Sequence, residues 1–94
     1  MITIIASFRV KQECVNAFKA MAMECVEASR KEAGNSSYHL YAAKTDGTKF
    51  FFVENWEDEK AIELHNASAH FQKFAGAFLP FVVEEPVIEQ TIEI

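Results

Sequence analysis

The sequence predicts an α+β fold in which two helical regions cover one face of a four-stranded antiparallel sheet. Three observations support this prediction. Both ends of the chain alternate between apolar and polar residues, as strands do, and two other stretches repeat apolar residues every three or four positions, as helices do. Between the helical stretches, two aromatic-rich strands are joined by a short turn. The predicted order of elements is therefore β-α-β-β-α-β.

The first strand and the first helix follow from the spacing of the apolar residues. In residues 2–10 every second side chain belongs to an apolar face, whereas the intervening positions, which include Ser7 and Arg9, are mixed. From 12 to 33 an apolar stripe recurs at helical spacing, opposed by charged residues. Gly34 is expected to end this helix, because glycine readily takes the left-handed conformation that closes many helices.

A β-hairpin is expected next, with strands at 36–44 and 49–56. The connecting sequence TDGT contains an Asp-Gly pair, which suits the positive φ angles of a tight hairpin turn. Both strands are apolar on both faces, so that neighbours such as Phe51 and Phe52 point to opposite sides. Two helices shield only one face, and the other would expose a large aromatic patch. The sequence therefore predicts a homodimer formed through the uncovered face.

A second helical region follows the hairpin and leads into the last strand. Its first turn is acidic, which suits the positive end of a helix dipole. The region is expected to break near Ser68, whose side chain can cap a new helical turn, and to end at Pro80. Residues 82–94 alternate again as a fourth strand, with Pro86 marking an edge or a bulge. The chain is thus predicted to be a single ferredoxin-like domain over residues 1–94.

Composition excludes some functions and sets expectations for others. A net charge of −5 and a pI near 5.1 argue against a nucleic-acid partner, which requires a basic face, and against an anionic membrane surface. The apolar runs are too short to cross a bilayer, and the N-terminus MITIIASFRV lacks the features of a secretion signal. The expected location is the cytoplasm.

The two cysteines are expected to be buried free thiols. Cys14 and Cys25 lie eleven residues apart in the first predicted helix, at positions that share its apolar stripe. Eleven residues of helix span ~16 Å, well beyond the ~7 Å that a disulfide allows between Cα atoms. An intrachain disulfide is therefore excluded if the helix forms.

The stretch FVENWEDEKAIELHNASAHF, residues 52–71, carries a distinctive set of polar and aromatic residues. A strand ends in Glu-x-Trp, an acidic helix start follows, a histidine comes nine residues after the tryptophan, and Ser-x-His-Phe completes the pattern. In this chain the residues are Glu54, Trp56, His65, Ser68, His70 and Phe71. Together with EAGNSSYHLY at 32–41, the pattern resembles the antibiotic biosynthesis monooxygenase family.

The resemblance implies an assembly and an activity. Members of this family form a dimeric α/β barrel in which two ferredoxin-like sheets pack face to face. Each subunit holds a pocket between its sheet and its helices. The better-known members oxygenate quinols or phenolic polyketides with no metal or flavin, which is chemically reasonable because the deprotonated substrate itself donates electrons to oxygen. The resemblance therefore implies a small aromatic or quinol-like ligand and no cofactor.

Three residues are candidates for catalysis. Glu54 and Trp56 share a strand face with Phe52, and His65 lies on the helical stripe expected to cover that face. On the basis of the resemblance, Trp56 is predicted to form an aromatic wall of the pocket. His65 is predicted to accept a substrate proton, since the pKa of histidine is near neutrality. Glu54 is predicted to orient His65 or to act as the base itself. Further predicted pocket contacts are Ser7, Tyr38, Phe52, His70 and Phe71.

Each candidate also has a purely structural interpretation. An inward histidine on a helix is commonly a hydrogen-bonded core residue, a tryptophan at a strand end is commonly core, and His70 could lie in solvent. A metal site is not expected, because His65 and His70 are five residues apart and adjacent-turn ligands on one helix need spacings of three or four. The haem-degrading relatives place an asparagine on the first strand where this chain has Ser7, so haem degradation is disfavoured.

Two other functions stay open from the sequence. Some relatives isomerise a small, sugar-derived or phosphorylated metabolite, but that substrate needs a cationic clamp, and the basic residues here look peripheral. A non-catalytic ligand-binding or stress-response module is the other alternative. Burying ionisable groups such as Glu54 and His65 without a use for them is costly, which argues against such a module.

Overall fold

The four strands form one antiparallel sheet in the spatial order β2-β3-β1-β4, and the helices cover one of its faces. The computed structural model describes residues 1–94. The elements are β1 (Ile2–Arg9), α1 (Val15–Ser29), β2 (Asn35–Ala43), β3 (Asp46–Trp56), α2 (Glu59–Asn66), α3 (Ala69–Ala75) and β4 (Val87–Thr91), with short 3₁₀ turns at Gln12–Cys14 and Leu79–Phe81. This arrangement confirms the predicted ferredoxin-like α+β fold.

The covered face of the sheet supplies most of the core, because the buried residues of β1 pair directly with the buried residues of β3. Ile4, Ala6 and Phe8 of β1 are buried, and they pair with Glu54, Phe52 and Phe50 of β3 respectively, which are buried too. The Phe8 ring lies within 6 Å of four other phenylalanine rings, mostly edge to face. The helical side contributes the buried residues Phe18, Ala22, Cys25, Val26 and Ser29 of α1 and Phe74 of α3.

The hairpin between β2 and β3 forms as predicted, but neither Gly34 nor Gly47 has the positive φ angle that was expected of it. Gly34 is needed for a close approach instead. A Cβ atom added there would lie 2.4 Å from the Cβ of Ala61, so the glycine lets the chain before β2 pack against α2. In the hairpin, the Asp46 carboxylate organises the turn by accepting hydrogen bonds from the backbone N–H and the hydroxyl of Thr48, at 2.9 and 2.6 Å.

The second helical region breaks where the sequence predicts. The Ser68 hydroxyl accepts a hydrogen bond from the Phe71 N–H and caps α3, while the Asp58 carboxylate accepts one from Ala61 N–H and caps α2. Other boundaries differ from the prediction. The first helix begins three residues later, at Val15, because residues 12–14 form a 3₁₀ turn. The last strand is only five residues long, since the preceding chain makes a single bridge from Val82 to Val10.

The cysteines are unpaired and Cys25 is buried, as expected, whereas Cys14 is partly exposed and the prediction of a buried thiol is wrong there. Burial raises the pKa of the Cys25 thiol, so this side chain stays protonated as part of the core. None of the helices is long and apolar enough to cross a membrane.

The open face of the sheet carries apolar side chains toward solvent. Ile5 is 40% exposed, Tyr41 53% and Val87 57%. Phe51 and Val53 of the central strand β3 are only partly buried between these neighbours. The alternation of the strands thus produces an apolar surface on the side that no helix covers.

Candidate functional site

A cavity of about 380 Å³ lies between the covered face of the sheet and helices α2 and α3. Its floor is formed by Ile4, Ala6 and Phe8 of β1 with Phe52 and Glu54 of β3, and its far edge by Ile88 and Gln90 of β4. The helical side contributes Ile62, His65, Asn66, Phe71, Gln72, Phe74 and Ala75, with Phe78 just beyond α3. The cavity is therefore mainly apolar, with a few polar groups at fixed places.

His65 is the most informative of these polar groups. Its side chain is only 2% exposed, and its Nδ1 lies 2.7 Å from the Oε2 atom of Glu32, in the turn after α1. An ionised carboxylate only accepts hydrogen bonds, so Nδ1 carries the hydrogen and donates it, which assigns the Nε2 lone pair as free. The Nε2 atom is buried and has no hydrogen-bond partner. An available proton acceptor thus sits in a residue that lines the cavity.

The His65 ring is held in place by aromatic neighbours. Its centroid lies 4.5 Å from the Trp56 ring, 4.9 Å from Phe71 and 5.7 Å from Tyr38. Burial among these rings lowers the pKa of His65, and the hydrogen bond and charge of Glu32 partly offset this effect. The imidazole is therefore neutral near pH 7, in the state that accepts a proton.

Glu54 is the second ionisable group of the cavity. It is 5% exposed, and the Trp56 indole N–H donates a hydrogen bond of 3.0 Å to its Oε1 atom. Burial raises the pKa of Glu54 to about 7, although hydrogen bonds from Trp56 and Tyr38 oppose the shift. Burial also raises the pKa of Tyr38, so its hydroxyl stays protonated beside this carboxyl group. Near neutral pH, Glu54 can thus donate or accept a proton.

The predicted role of Trp56 as a cavity wall is wrong. The side chain is fully buried and does not border the cavity, because α2 packs over the end of β3, where Trp56 lies. It lies behind the two ionisable groups instead, where its ring packs at a tilt against His65 and its N–H donates to Glu54. Trp56 therefore supports the site without contacting its contents.

The predicted Glu54–His65 pair is also wrong. The carboxylate that orients His65 is Glu32, which the sequence analysis did not single out, although it begins the segment EAGNSSYHLY. The two residues are 33 positions apart. Their contact depends on how the turn after α1 passes α2, and no local spacing encodes that path.

The five predicted pocket contacts divide into two groups. Tyr38, Phe52 and Phe71 line the cavity. Ser7 does not, because its position in the alternation of β1 places it on the open face, paired with Phe51 and Val87. His70 does not line the cavity either, and its side chain is 24% exposed. Sequence reasoning missed four lining residues of polar or edge character, namely Asn66, Gln72, Ile88 and Gln90.

Glu32, His65 and His70 come together as a cluster whose ligand-type atoms lie within 4.8 Å of one another. The five-residue spacing of His65 and His70 would separate them on one continuous helix. The break at Ser68 turns the chain between the two histidines and brings them together instead. The Oε2 atom of Glu32 lies 2.7 Å from His65 Nδ1 and 2.8 Å from His70 Nε2. A cation would have to displace both contacts. The cluster acts as a hydrogen-bonded support for the His65 imidazole.

Relatives of the chain share its sequence pattern. The family described as "Antibiotic biosynthesis monooxygenase" matches residues 1–77. "Putative monooxygenase YcnE" of Bacillus subtilis (strain 168) is 39% identical over 76 residues, which cover 81% of this chain and 80% of that protein. An uncharacterized Synechocystis protein is 30% identical over 73 residues, 78% of this chain and 50% of its own length.

Solved structures share the fold. A crystal structure described as an antibiotic biosynthesis monooxygenase superposes with a TM-score of 0.95 at 24% identity, covering 100% of this chain and 99% of the other. A Pseudomonas aeruginosa protein superposes with a TM-score of 0.92 at 27% identity, covering 99% and 93% of the two chains. The fold is thus shared well beyond close sequence similarity.

Proposed function

The chain belongs to the antibiotic biosynthesis monooxygenase family, and from this premise we propose that it oxygenates a quinol or a similar phenolic compound without a metal or flavin. The single observation that carries the proposal is the buried, unpartnered Nε2 atom of His65, a residue that lines a mainly apolar cavity. An idle polar atom in such surroundings is costly, and a phenolic hydroxyl group is the kind of donor that would satisfy it.

The chemistry begins with proton transfer. The hydroxyl group of the substrate donates to Nε2 and then transfers its proton, which leaves a phenolate and an imidazolium ion. Glu32 stabilises that imidazolium through the Nδ1 hydrogen bond of 2.7 Å. The phenolate then supplies electrons to O₂. For a hydroquinone the balanced overall reaction consumes one O₂ and yields a hydroxyquinone and water.

The surroundings of His65 favour this chemistry over simple packing. The cavity volume of about 380 Å³ is at the lower end of the range for small-molecule sites and suits a ligand of one or two rings. Its apolar walls keep water away from the developing charges, which strengthens the interaction between the imidazolium and Glu32. Glu54, with its pKa near 7, is a second group that can return a proton to a reduced oxygen atom.

Isomerisation is the second candidate, and Glu54 is the observation that favours it. A protonated Glu54 can donate to a carbonyl oxygen while His65 removes a proton from the adjacent carbon, which is the pair of transfers that enolisation needs. No lysine or arginine lines the cavity, so a phosphorylated substrate is disfavoured. A non-catalytic binding module leaves these two buried ionisable groups of the cavity without a use.

A homodimer through the open face is part of the proposal. The support is the exposed apolar surface of Ile5, Tyr41 and Val87 around the central strand β3. Monomers seldom leave such a patch uncovered, and packing two sheets face to face would remove it from water. A single antibiotic biosynthesis monooxygenase-like domain over residues 1–94 and a cytoplasmic location also stay predictions.

Isotope labelling tests the proposed oxygenation. The protein is incubated with ¹⁸O₂ and a panel of hydroquinones, and products are analysed by mass spectrometry against a protein-free autoxidation control. The expected result is protein-dependent incorporation of one ¹⁸O atom into a hydroxyquinone. In a parallel incubation with enolisable carbonyl compounds in D₂O, protein-dependent deuterium at the carbon next to the carbonyl, with no oxygen uptake, would favour the isomerase. The absence of both results for every compound tested would contradict an enzymatic role of this cavity.

A further inference from the structure

The strand register places a second polar group across the cavity floor from Glu54. Ile4 of β1 pairs with Glu54 on one side and with Gln90 of β4 on the other. Glu54, Ile4 and Gln90 thus form one row across the sheet, all on the cavity face. Neighbouring strands are about 4.8 Å apart, so the backbones of Glu54 and Gln90 are roughly 10 Å apart.

His65 and Gln90 lie toward opposite sides of this row. The His65 ring packs on Tyr38 of β2 and Trp56 of β3, whereas Gln90 belongs to β4 at the other edge of the sheet. A ligand with one oxygen bound at His65 would therefore extend its opposite end toward β4.

The Gln90 side chain is free to bind a ligand. Its amide makes no hydrogen bond within the subunit, whereas the amide nitrogen of Gln72, another lining residue, donates to the Asn66 carbonyl at 2.6 Å. Asn66 follows His65 directly on α2, so it belongs to the helical side of the cavity. Of the polar lining residues, Gln90 alone is supplied by β4.

We propose that Gln90 is a specificity-determining residue that binds the distal oxygen of a ligand whose first oxygen is held at His65. The cavity then selects aromatic rings with oxygens at opposite ends, such as 1,4-dihydroxy compounds, over rings with a single hydroxyl group. The inference rests on the proposed function only for the placement of the first oxygen. Gln90 lies on β4, outside the residues 1–77 that the family match covers.

The test compares two ligands and three proteins. Under anaerobic conditions, 1,4-dihydroxynaphthalene and 1-naphthol are titrated by calorimetry into the parental protein, Gln90→Leu and the control Gln12→Leu. Gln12 is exposed in the 3₁₀ turn before α1, and Gln90 is itself exposed, so both variants are expected to fold. Loss of one neutral hydrogen bond predicts roughly threefold to tenfold weaker binding of the dihydroxy compound to Gln90→Leu. Binding of 1-naphthol should change less than about twofold.

The outcomes separate this inference from the proposed function. Equal effects of Gln90→Leu on both ligands, no effect on either, or no binding of either ligand to the parental protein would overturn the role of Gln90. A selective loss for the dihydroxy compound, with no ¹⁸O incorporation in the aerobic experiment, would leave Gln90 as a binding residue and contradict the oxygenase instead.

Discussion

The two faces of the sheet depart from the usual distribution of residues in opposite ways. The covered face buries Glu54 among aromatic rings, with His65 packed against it from α2, whereas the open face leaves Ile5 and Tyr41 exposed to solvent. Buried polar groups and exposed apolar patches are the informative exceptions in a folded protein. Each exception supports one part of the proposal: the covered face the small polar-edged ligand, and the open face the second apolar surface of a dimer.

The comparison also explains why one sheet can serve both purposes. Successive residues of β3 point to opposite faces of the sheet. Phe51 and Val53 therefore face outward, whereas Phe52 and Glu54 face the cavity. A change to one of these positions is therefore expected to affect one face with little effect on the other.

Replacing His65 with alanine is expected to have the largest effect, because it removes the proposed base. The expected loss of kcat/KM for hydroquinone oxidation is on the order of 10²–10⁴-fold, with the dimer unchanged. Oxygen uptake measures the first quantity and light scattering the second. Gln12→Ala is the control, since Gln12 lies exposed in the 3₁₀ turn before α1. Parental oxidation rates in His65→Ala would mean that the histidine only packs.

Replacing Phe51 with aspartate is expected to disrupt the open face. A charge buried between two sheets without a partner costs several kcal/mol, so the dimer dissociation constant should rise at least about 100-fold. Analytical ultracentrifugation measures it, and Ala17→Asp, on an exposed site of α1, controls for the added charge. A parental protein that is monomeric at micromolar concentration, or a variant that remains a tight dimer, would place the interface elsewhere.

The sequence predicted which residues share a face of the sheet, but not which residues from distant segments are in contact. Alternation predicted that Phe52 and Glu54 share a face, and capping chemistry predicted the break at Ser68, because both depend on neighbouring residues. The Glu32–His65 pair joins residues 33 positions apart, so it depends on the packed structure. Trp56 was assigned to the correct face, yet α2 covers the end of β3 and seals it from the cavity.

Glu54 makes stability depend on pH in a predictable direction. Its pKa rises from 4.5 in the unfolded chain to about 7 in the folded one, so the folded state keeps the proton over that window. The free energy of unfolding therefore falls as pH rises from 4.5 through about 7. Between about pH 5 and about pH 8 this contribution amounts to roughly 2–3 kcal/mol.

The variant Glu54→Gln isolates this contribution, because it removes the titrating group and leaves the others in place. Urea unfolding at the two pH values should show the variant gaining about 2–3 kcal/mol relative to the parental protein as pH rises. A difference between the two proteins that stays constant with pH would mean that Glu54 titrates normally in the folded state.

Replacing Glu32 with glutamine is expected to have a smaller effect than removing His65, because the base remains while its charged partner is lost. The expected decrease in kcat is roughly tenfold to hundredfold. The Glu32 interaction raises the pKa of His65, so the rising limb of the pH–rate profile that reports His65 should move to lower pH. Glu24→Gln, a surface carboxylate paired with Lys73, is the control. An unchanged profile would show that Glu32 does not act through His65.

The tautomer of His65 is the most direct test of the whole account. Two-bond ¹H–¹⁵N correlation spectra of the ¹⁵N-labelled protein, at neutral pH without ligand, report which ring nitrogen carries the hydrogen, and the His65→Ala spectrum assigns the signal. The account predicts a neutral ring with hydrogen on Nδ1, facing Glu32, and a bare Nε2. A hydrogen on Nε2 at neutral pH, in either the neutral or the charged ring, would contradict the free proton acceptor on which the proposed chemistry depends.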